Sequence, residues 1–332
     1  MKRTYKLALL FICLVFVVVL VAACTPQASP EPAAPAASGN DTPATPEPAQ
    51  GGRTIGLILI SGINSHCQEL EASVREIVEG RGDRLVVLDS QFDTAREVQN
   101  IEDLITQKVD GICIEVTGYD TSTGALQAAK DAGIPVAGND QMVKADDLVV
   151  SQVVSDNVMA GELCAADMIA EIGEEGEVIV ISIPGMTATA QRTEGFMKGI
   201  ADYPGIKVVA EGNGEGLIDK AATITESFIQ ANPNVKGVFG ANDPCALGAL
   251  SAYVTAGKID EVKIYGVDGS IEGVQFIKEG KLAGTVRQRP ADLGAFSVTD
   301  LYTVLDGGTI PESERLKYVE VFLINAANAD QY

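Results

Sequence analysis

Side chains able to bind or exchange protons gather at one kind of place in this chain, just after short apolar runs. Asn64 follows the run Thr54 to Ile60, Thr117 and Asp120 follow Ile112 to Val116, and Asn139 and Asp140 follow Pro135 to Ala137. Further on, Asn242 and Asp243 follow Val235 to Phe239, Asp268 follows Lys263 to Val267, and Gln288 follows Leu282 to Val286. Asn and Asp are favoured in turns for backbone reasons, so any one of them reads equally as a turn former. As a set, neutral amides with two or three carboxylates donate and accept in the pattern a polyhydroxylated molecule offers. A phosphate site would want a Gly-rich loop with Lys or Arg beside it, and these turns lack that combination.

Catalysis finds little support. The chain has one histidine, His66, four residues past the first apolar run, where it could line the same cleft. No G-x-S-x-G, H-E-x-x-H or P-loop pattern occurs. Asp140 and Asp268 could in principle act as a glycosidase pair, but nothing marks a nucleophile with a base in reach. A binder without enzymatic activity or cofactor is expected. Of six cysteines, Cys67, Cys113, Cys164 and Cys245 are scattered through the body without zinc-ligand spacing, so no metal is expected. A disulfide is allowed, but the spacing singles out no pair; Cys113 and Cys164 read as buried thiols.

The elements that must position these groups alternate regularly. Strands are expected at 54–60, 84–88, 112–116, from 135 and at 149–154, with helices at 68–79, 95–107 and 124–132. The alternation then restarts, with helices near 158–172, 189–201, 220–230 and 271–279 and strands at 178–183, 207–210, 235–239, 263–267 and 282–286. In the turn Asn242-Asp243-Pro244, Asp243 suits a helix cap and Pro244 the first helical turn. A helix at 291–305 and a single strand at 316–324 end the chain. Runs without polar alternation suit parallel strands buried on both faces, with helices as crossovers. The expected fold class is therefore α/β, with two similar doubly wound lobes. In such sheets ligands sit outside the carboxyl ends of the strands, where every polar residue named above falls.

The chain opens with Lys2, Arg3 and Lys6, then an uncharged apolar run to Ala23. A basic head, an apolar stretch and small residues make an export signal. Ala22-Ala23-Cys24 resembles the bacterial lipoprotein processing motif, which gives a signal peptide over 1–23 and lipid on Cys24. Residues 24–52 hold half of the 14 prolines and form a Pro/Ala-rich tether. The net charge of −22 becomes −25 without the three leader cations, a field that repels nucleic acid and anionic lipid. The expected place is extracytoplasmic, anchored to the membrane through the lipid alone.

Taken in order, Leu85 to Gln91, Ala132 to Val136, Ser155-Asp156-Asn157, Arg192 to Phe196, Asn242-Asp243 with Ala246 to Ala249, and Val267-Asp268-Gly269 resemble the ribose-binding proteins, type I periplasmic sugar-binding proteins of ABC transporters. The similarity runs through essentially all of residues 54–324. It implies two Rossmann-like lobes joined by three hinge strands, crossing near Ser155, Gln288 and Lys317. That gives an N-terminal lobe of 53–155 plus 289–317 and a C-terminal lobe of 156–288 plus 318–332. The resemblance puts Asn64, Asp140, Asn242, Asp268 and Gln288 on sugar hydroxyls. Ribose binders carry aromatic residues where this chain has His66 and Cys67, and Arg where it has Gln141 and Ala190; an aromatic of the second lobe falls on Gly216 or Leu217. His66 and Gln141 are thus expected at the ligand, and the departures imply a sugar or polyol other than D-ribose. Asp140 and Asp268 would need other charge partners, for which Arg287 and Arg289 are candidates. Tyr119 and Phe92 offer substitute platforms, although core packing accounts for them equally. The implied function is a solute receptor, a monomer, that delivers its ligand to an ABC permease. A sensor feeding a receptor kinase or chemoreceptor, or a binder of a nucleoside or furanosyl signal molecule, is the alternative.

Overall fold

The computed structural model describes residues 52–332; the leader, Cys24 and nearly all of the tether lie outside them. The chain alternates β1 (Thr54–Leu59), α1 (Ser65–Gly80), β2 (Arg84–Asp89), α2 (Thr94–Gln107), β3 (Gly111–Ile114), α3 (Thr123–Asp131), β4 (Val136–Asn139) and β5 (Ser151–Ser155). It continues with α4 (Asn157–Ile172), β6 (Glu175–Ser182), α5 (Thr187–Ile200), β7 (Gly205–Asn213), α6 (Ile218–Ala231), β8 (Val235–Gly240), α7 (Asp243–Thr255), β9 (Lys263–Asp268), α8 (Ile271–Lys278), β10 (Gly284–Arg287), α9 (Pro290–Leu305), β11 (Leu316–Val319) and β12 (Phe322–Asn325).

Two six-stranded sheets result, ordered β11-β5-β4-β3-β1-β2 and β12-β10-β9-β8-β6-β7. Omitting the last strand of each, both read second, first, third, fourth, fifth, so the two halves repeat one topology. All pairings are parallel except that of β12 with β10. The central strands are apolar because helices cover both faces: β3 is buried at every position and β1 at all but its first. In the first lobe Leu57, Cys113 and Ala137 pack with Leu70, Val74 and Leu293 from α1 and α9, while Ile58, Ile112 and Val136 pack with Ile101, Leu104 and Leu126 from α2 and α3. A single larger core around Phe196, Phe239 and Tyr265 fills the second lobe.

The chain passes between sheets after β5, after β10 and between β11 and β12. The single strand expected over 316–324 is broken: β11 pairs with β5 of the first sheet and β12 with β10 of the second. Tyr318 and Val319 therefore stay in the first sheet, two residues beyond the boundary expected at Lys317. The physical reason is that Glu320 and Val321 span the gap, so one apolar run serves two sheets. Helix α1 starts at Ser65 and not near residue 68, because Asn64 caps it. Cys67, Cys113, Cys164 and Cys245 are all buried and unpaired. Among the described residues no helix is long and apolar enough to cross a membrane.

Candidate functional site

Each lobe contributes a carboxylate on a turn that backbone geometry holds in an uncommon form. Asp140, immediately after β4, has φ +57°, and Asp268, the last residue of β9, has φ +148°. Asx side chains tolerate such positions better than others, and strain of this kind collects where a group must be aimed.

On the first lobe, Asn64 accepts through Oδ1 from the His66 amide at 2.9 Å, which starts α1 and places His66 on its first turn. His66 Nε2 then lies 3.3 Å from Asp140 Oδ1. The distance is that of an ion pair, but the alignment is not that of a hydrogen bond, and both imidazole nitrogens and Asp140 Oδ1 lack a hydrogen-bond partner. Burial disfavours the imidazolium; Asp140, with Glu115 and Asp268 behind it, outweighs that and raises His66 to about 9. Asp140 is buried as well, yet the cation holds its carboxyl below the usual aspartate range. Its Oδ2 accepts from Gln141 Nε2 at 3.1 Å. Glu115, at the end of β3, is 2% exposed and accepts from the Ile60 amide at 3.2 Å and the Cys67 thiol at 3.3 Å. Burial, and Asp140 next to it, push Glu115 up to about 7.

On the second lobe, Asp268 is saturated. Its Oδ1 accepts from Gln288 Nε2 at 2.9 Å and Arg192 Nη1 at 3.4 Å, and its Oδ2 from the Asp243 amide at 3.3 Å. Arg192 is 3% exposed and also donates to Asn157 Oδ1 and the Ala241 carbonyl. Its place depends on close packing of α4 and α5: a Cβ on Gly161 would lie 2.0 Å from the Arg192 carbonyl oxygen. Burial raises the Asp268 carboxyl in spite of Arg192. Asn242 caps α7 by accepting from the Cys245 amide at 3.0 Å, a role expected of Asp243. Asp243 is instead the first helical residue, wholly buried, accepting from Thr285 at 2.5 Å and from the Ser270 amide and hydroxyl at 2.7 and 2.6 Å. It braces the turn from behind. With Oδ1 committed to the caps, Asn64 and Asn242 each keep an Nδ2 with no partner among the described residues.

The two walls meet through specific bonds. Gln141 Oε1 accepts from Thr187 Oγ1 and the Ala188 amide, both at 3.2 Å, at the start of α5 in the second lobe. Gln288 Oε1 accepts from Ser155 Oγ at 2.9 Å, tying the second crossing to the end of β5. Glu69 on α1 pairs with Arg287 at 2.7 Å, and Met186 packs against both cores.

All seven candidate positions thus stand on these two walls, but not in equal states. Gln141 spends both ends of its amide on protein. Arg287 binds Glu69 and Arg289 binds Asp292, so neither serves the carboxylates; His66 and Arg192 do. Thr117 is tied to Thr94 and Glu97, and Asp120 is exposed beside Lys144. Phe92 and Tyr119 are 55% and 43% exposed, which excludes core packing. The residues missed from sequence are Arg192 and Glu115. The run Gly111-Ile112-Cys113-Ile114-Glu115 did carry a signal for the second: a charge directly at a buried strand's end.

A profile for the periplasmic binding protein domain matches residues 55–309. The chain belongs to the periplasmic binding protein family. It is 35% identical over 255 residues to the ribose import binding protein RbsB of Salmonella typhimurium, covering 76% of this chain and 85% of that one. This binding protein also superimposes on the ABC transporter periplasmic solute binding protein of Actinobacillus succinogenes 130z, crystallised with D-allose, with TM-score 0.79, 28% identity and coverage of 84% and 100%. The solute binding protein of Agrobacterium vitis with bound alpha-D-tagatopyranose gives TM-score 0.79 and 28% identity, over 83% of this binding protein and 95% of its own chain. The two-lobed α/β fold expected from the alternation of elements is the fold of the family.

Proposed function

We propose that this chain is an extracytoplasmic solute-binding lipoprotein that captures a monosaccharide or polyol between its lobes, without converting it, and delivers it to an ABC permease. The observation that carries the reading is the pair of aimed carboxylates, Asp140 and Asp268, one on each wall and each with its own cation, with the Nδ2 groups of Asn64 and Asn242 free to donate. Carboxylates accept from hydroxyls and amides donate to them, so a ligand rich in O–H groups satisfies both. Relatives named for ribose import, and one crystallised with D-allose, support that ligand class. His66 and Gln141, in place of an aromatic and an arginine, support a ligand other than D-ribose. Lobe closure over the ligand would shift the population toward the form a permease recognises. The basic and apolar leader before Cys24 supports lipid anchoring, and the protein would act as a monomer.

A thermal-shift panel of the purified full-length chain against pentoses, hexoses, sugar alcohols and nucleosides tests the reading, because a ligand that binds only the folded state raises the melting temperature. A rise with one sugar or polyol, lost in Asp268→Asn while the unliganded melt stays cooperative, is the expected result. A rise only with nucleosides, or with no compound, overturns it.

A further inference from the structure

We infer that His66, Glu115 and Asp140, backed by Asn139, form a site for one divalent transition-metal cation beneath the first turn of α1. One ligand atom from each of the first three lies within 4.8 Å of the others. A first-row cation binds imidazole nitrogen and carboxylate oxygen at about 2.0–2.2 Å, so the three need draw together only by a few tenths of an ångström.

The groups are short of partners in the manner a cation would satisfy. His66 has a side chain only 10% exposed, and neither ring nitrogen has a hydrogen-bond partner. Asp140 Oδ1 is likewise unpartnered. Asn139 is a separate observation: it is fully buried, and both its amide atoms lack partners. The register pairs Cys113 with Ala137 and Ile114 with Gly138; carried on by one residue it sets Glu115 beside Asn139. Cys113 and Ala137 face α1 in the core, and side chains alternate along a strand, so Glu115 and Asn139 face α1 too, toward His66 and Cys67. Glu115 Oε2 takes the Ile60 amide and the closer thiol contact, while Oε1 has only the Cys67 thiol at 3.7 Å. Buried polar groups are nearly always satisfied, and a cluster left this short points to an ion or to bound water. Two buried carboxylates against one imidazole favour the ion, since a divalent charge balances both carboxylates and takes the neutral ring as a ligand. One nitrogen with carboxylate and amide oxygens suits Zn²⁺ or Mn²⁺ better than a soft, thiol-seeking ion. No motif spacing announces the site, because its members come from one helix turn and two strand ends.

Because His66 is the only histidine in the chain, any imidazole signal is its own. The full-length chain, stripped with chelator and re-equilibrated with Zn²⁺ or Mn²⁺, is passed through gel filtration and analysed for metal; the imidazole nitrogens are followed by NMR with Zn²⁺. One equivalent retained per chain, a ring nitrogen that moves on Zn²⁺ addition and no longer titrates, and retention about tenfold or more weaker in Glu115→Gln and His66→Gln support the site. Asp268→Asn should keep the metal even where it loses the sugar, which separates failure of this site from failure of the sugar reading. Retention unchanged in both site variants, no metal retained, or an imidazole that titrates as before overturns it; the ring signal decides alone if Glu115→Gln does not fold.

Discussion

The two walls of the cleft solve one problem differently. Each aims an aspartate from a positive-φ turn at the end of a parallel strand, and each sets a cation beside it. On the second wall the cation is Arg192, charged at all working pH, and Asp268 has three donors besides. On the first wall the cation is His66, whose charge can be lost, and several polar atoms around it have no partner. The second wall is therefore a fixed, satisfied surface, and the first an adjustable one. The cost of a buried charge explains why both aspartates need a cation, and the choice of cation decides which wall responds to conditions.

The sharpest way to break this contrast is Arg192→Met. It leaves Asp268 buried against one amide side chain and a backbone N–H, and strands Asn157 and the Ala241 carbonyl, so a loss of about 3–5 kcal/mol in urea unfolding is expected. An unchanged midpoint would mean that the second wall does not depend on its guanidinium.

pH probes the first wall. His66 is raised from 6.5 to about 9, so its stabilisation is complete below pH 6.5 and fades as pH climbs through about 9. Glu115, raised from 4.5 to about 7, acts in the same direction over a lower window. Asp140 is lowered, so its share is present above 3.8 and lost only in stronger acid. The melting temperature of the metal-free chain should fall by several degrees from pH 5 to 9, and His66→Gln should flatten the part above 6.5. If the variant keeps the full slope, the response comes from elsewhere.

Smaller effects concern the bonds between the walls. Gln141→Ala removes both interlobe acceptor contacts, for a loss of about 1 kcal/mol, or roughly fivefold in ligand affinity. Small-angle scattering of the unliganded variant should show a larger radius of gyration; an identical curve would deny Gln141 a role in holding the lobes together. The smallest effect is expected from Arg287→Ala. Its pair with Glu69 is well exposed, so about 0.2–1 kcal/mol is lost, and that difference should shrink in high salt.

Much of this was legible in the sequence because it depends on local pattern. Apolar runs without alternation announce buried parallel strands, and the restart after residue 155 announces a second lobe. Polar residues at strand ends give Asn64, Asp140, Asn242 and Asp268 from chain order alone. What chain order cannot carry is the pairing of charges. Arg192 reaches Asp268 only because Gly161 lets α4 and α5 close together, and Glu115 meets His66 only because β3 ends beside the start of α1. Asp243 shows the same limit from the other side. It has the residue type and position of a ligand, yet Thr285 and Ser270 take up its carboxylate inside the lobe. Residue type and spacing determined where polar groups leave the sheets; only the packing of helices on those sheets decided which of them face the cleft and what stands beside each, because a charge is paired by distance in space and not along the chain.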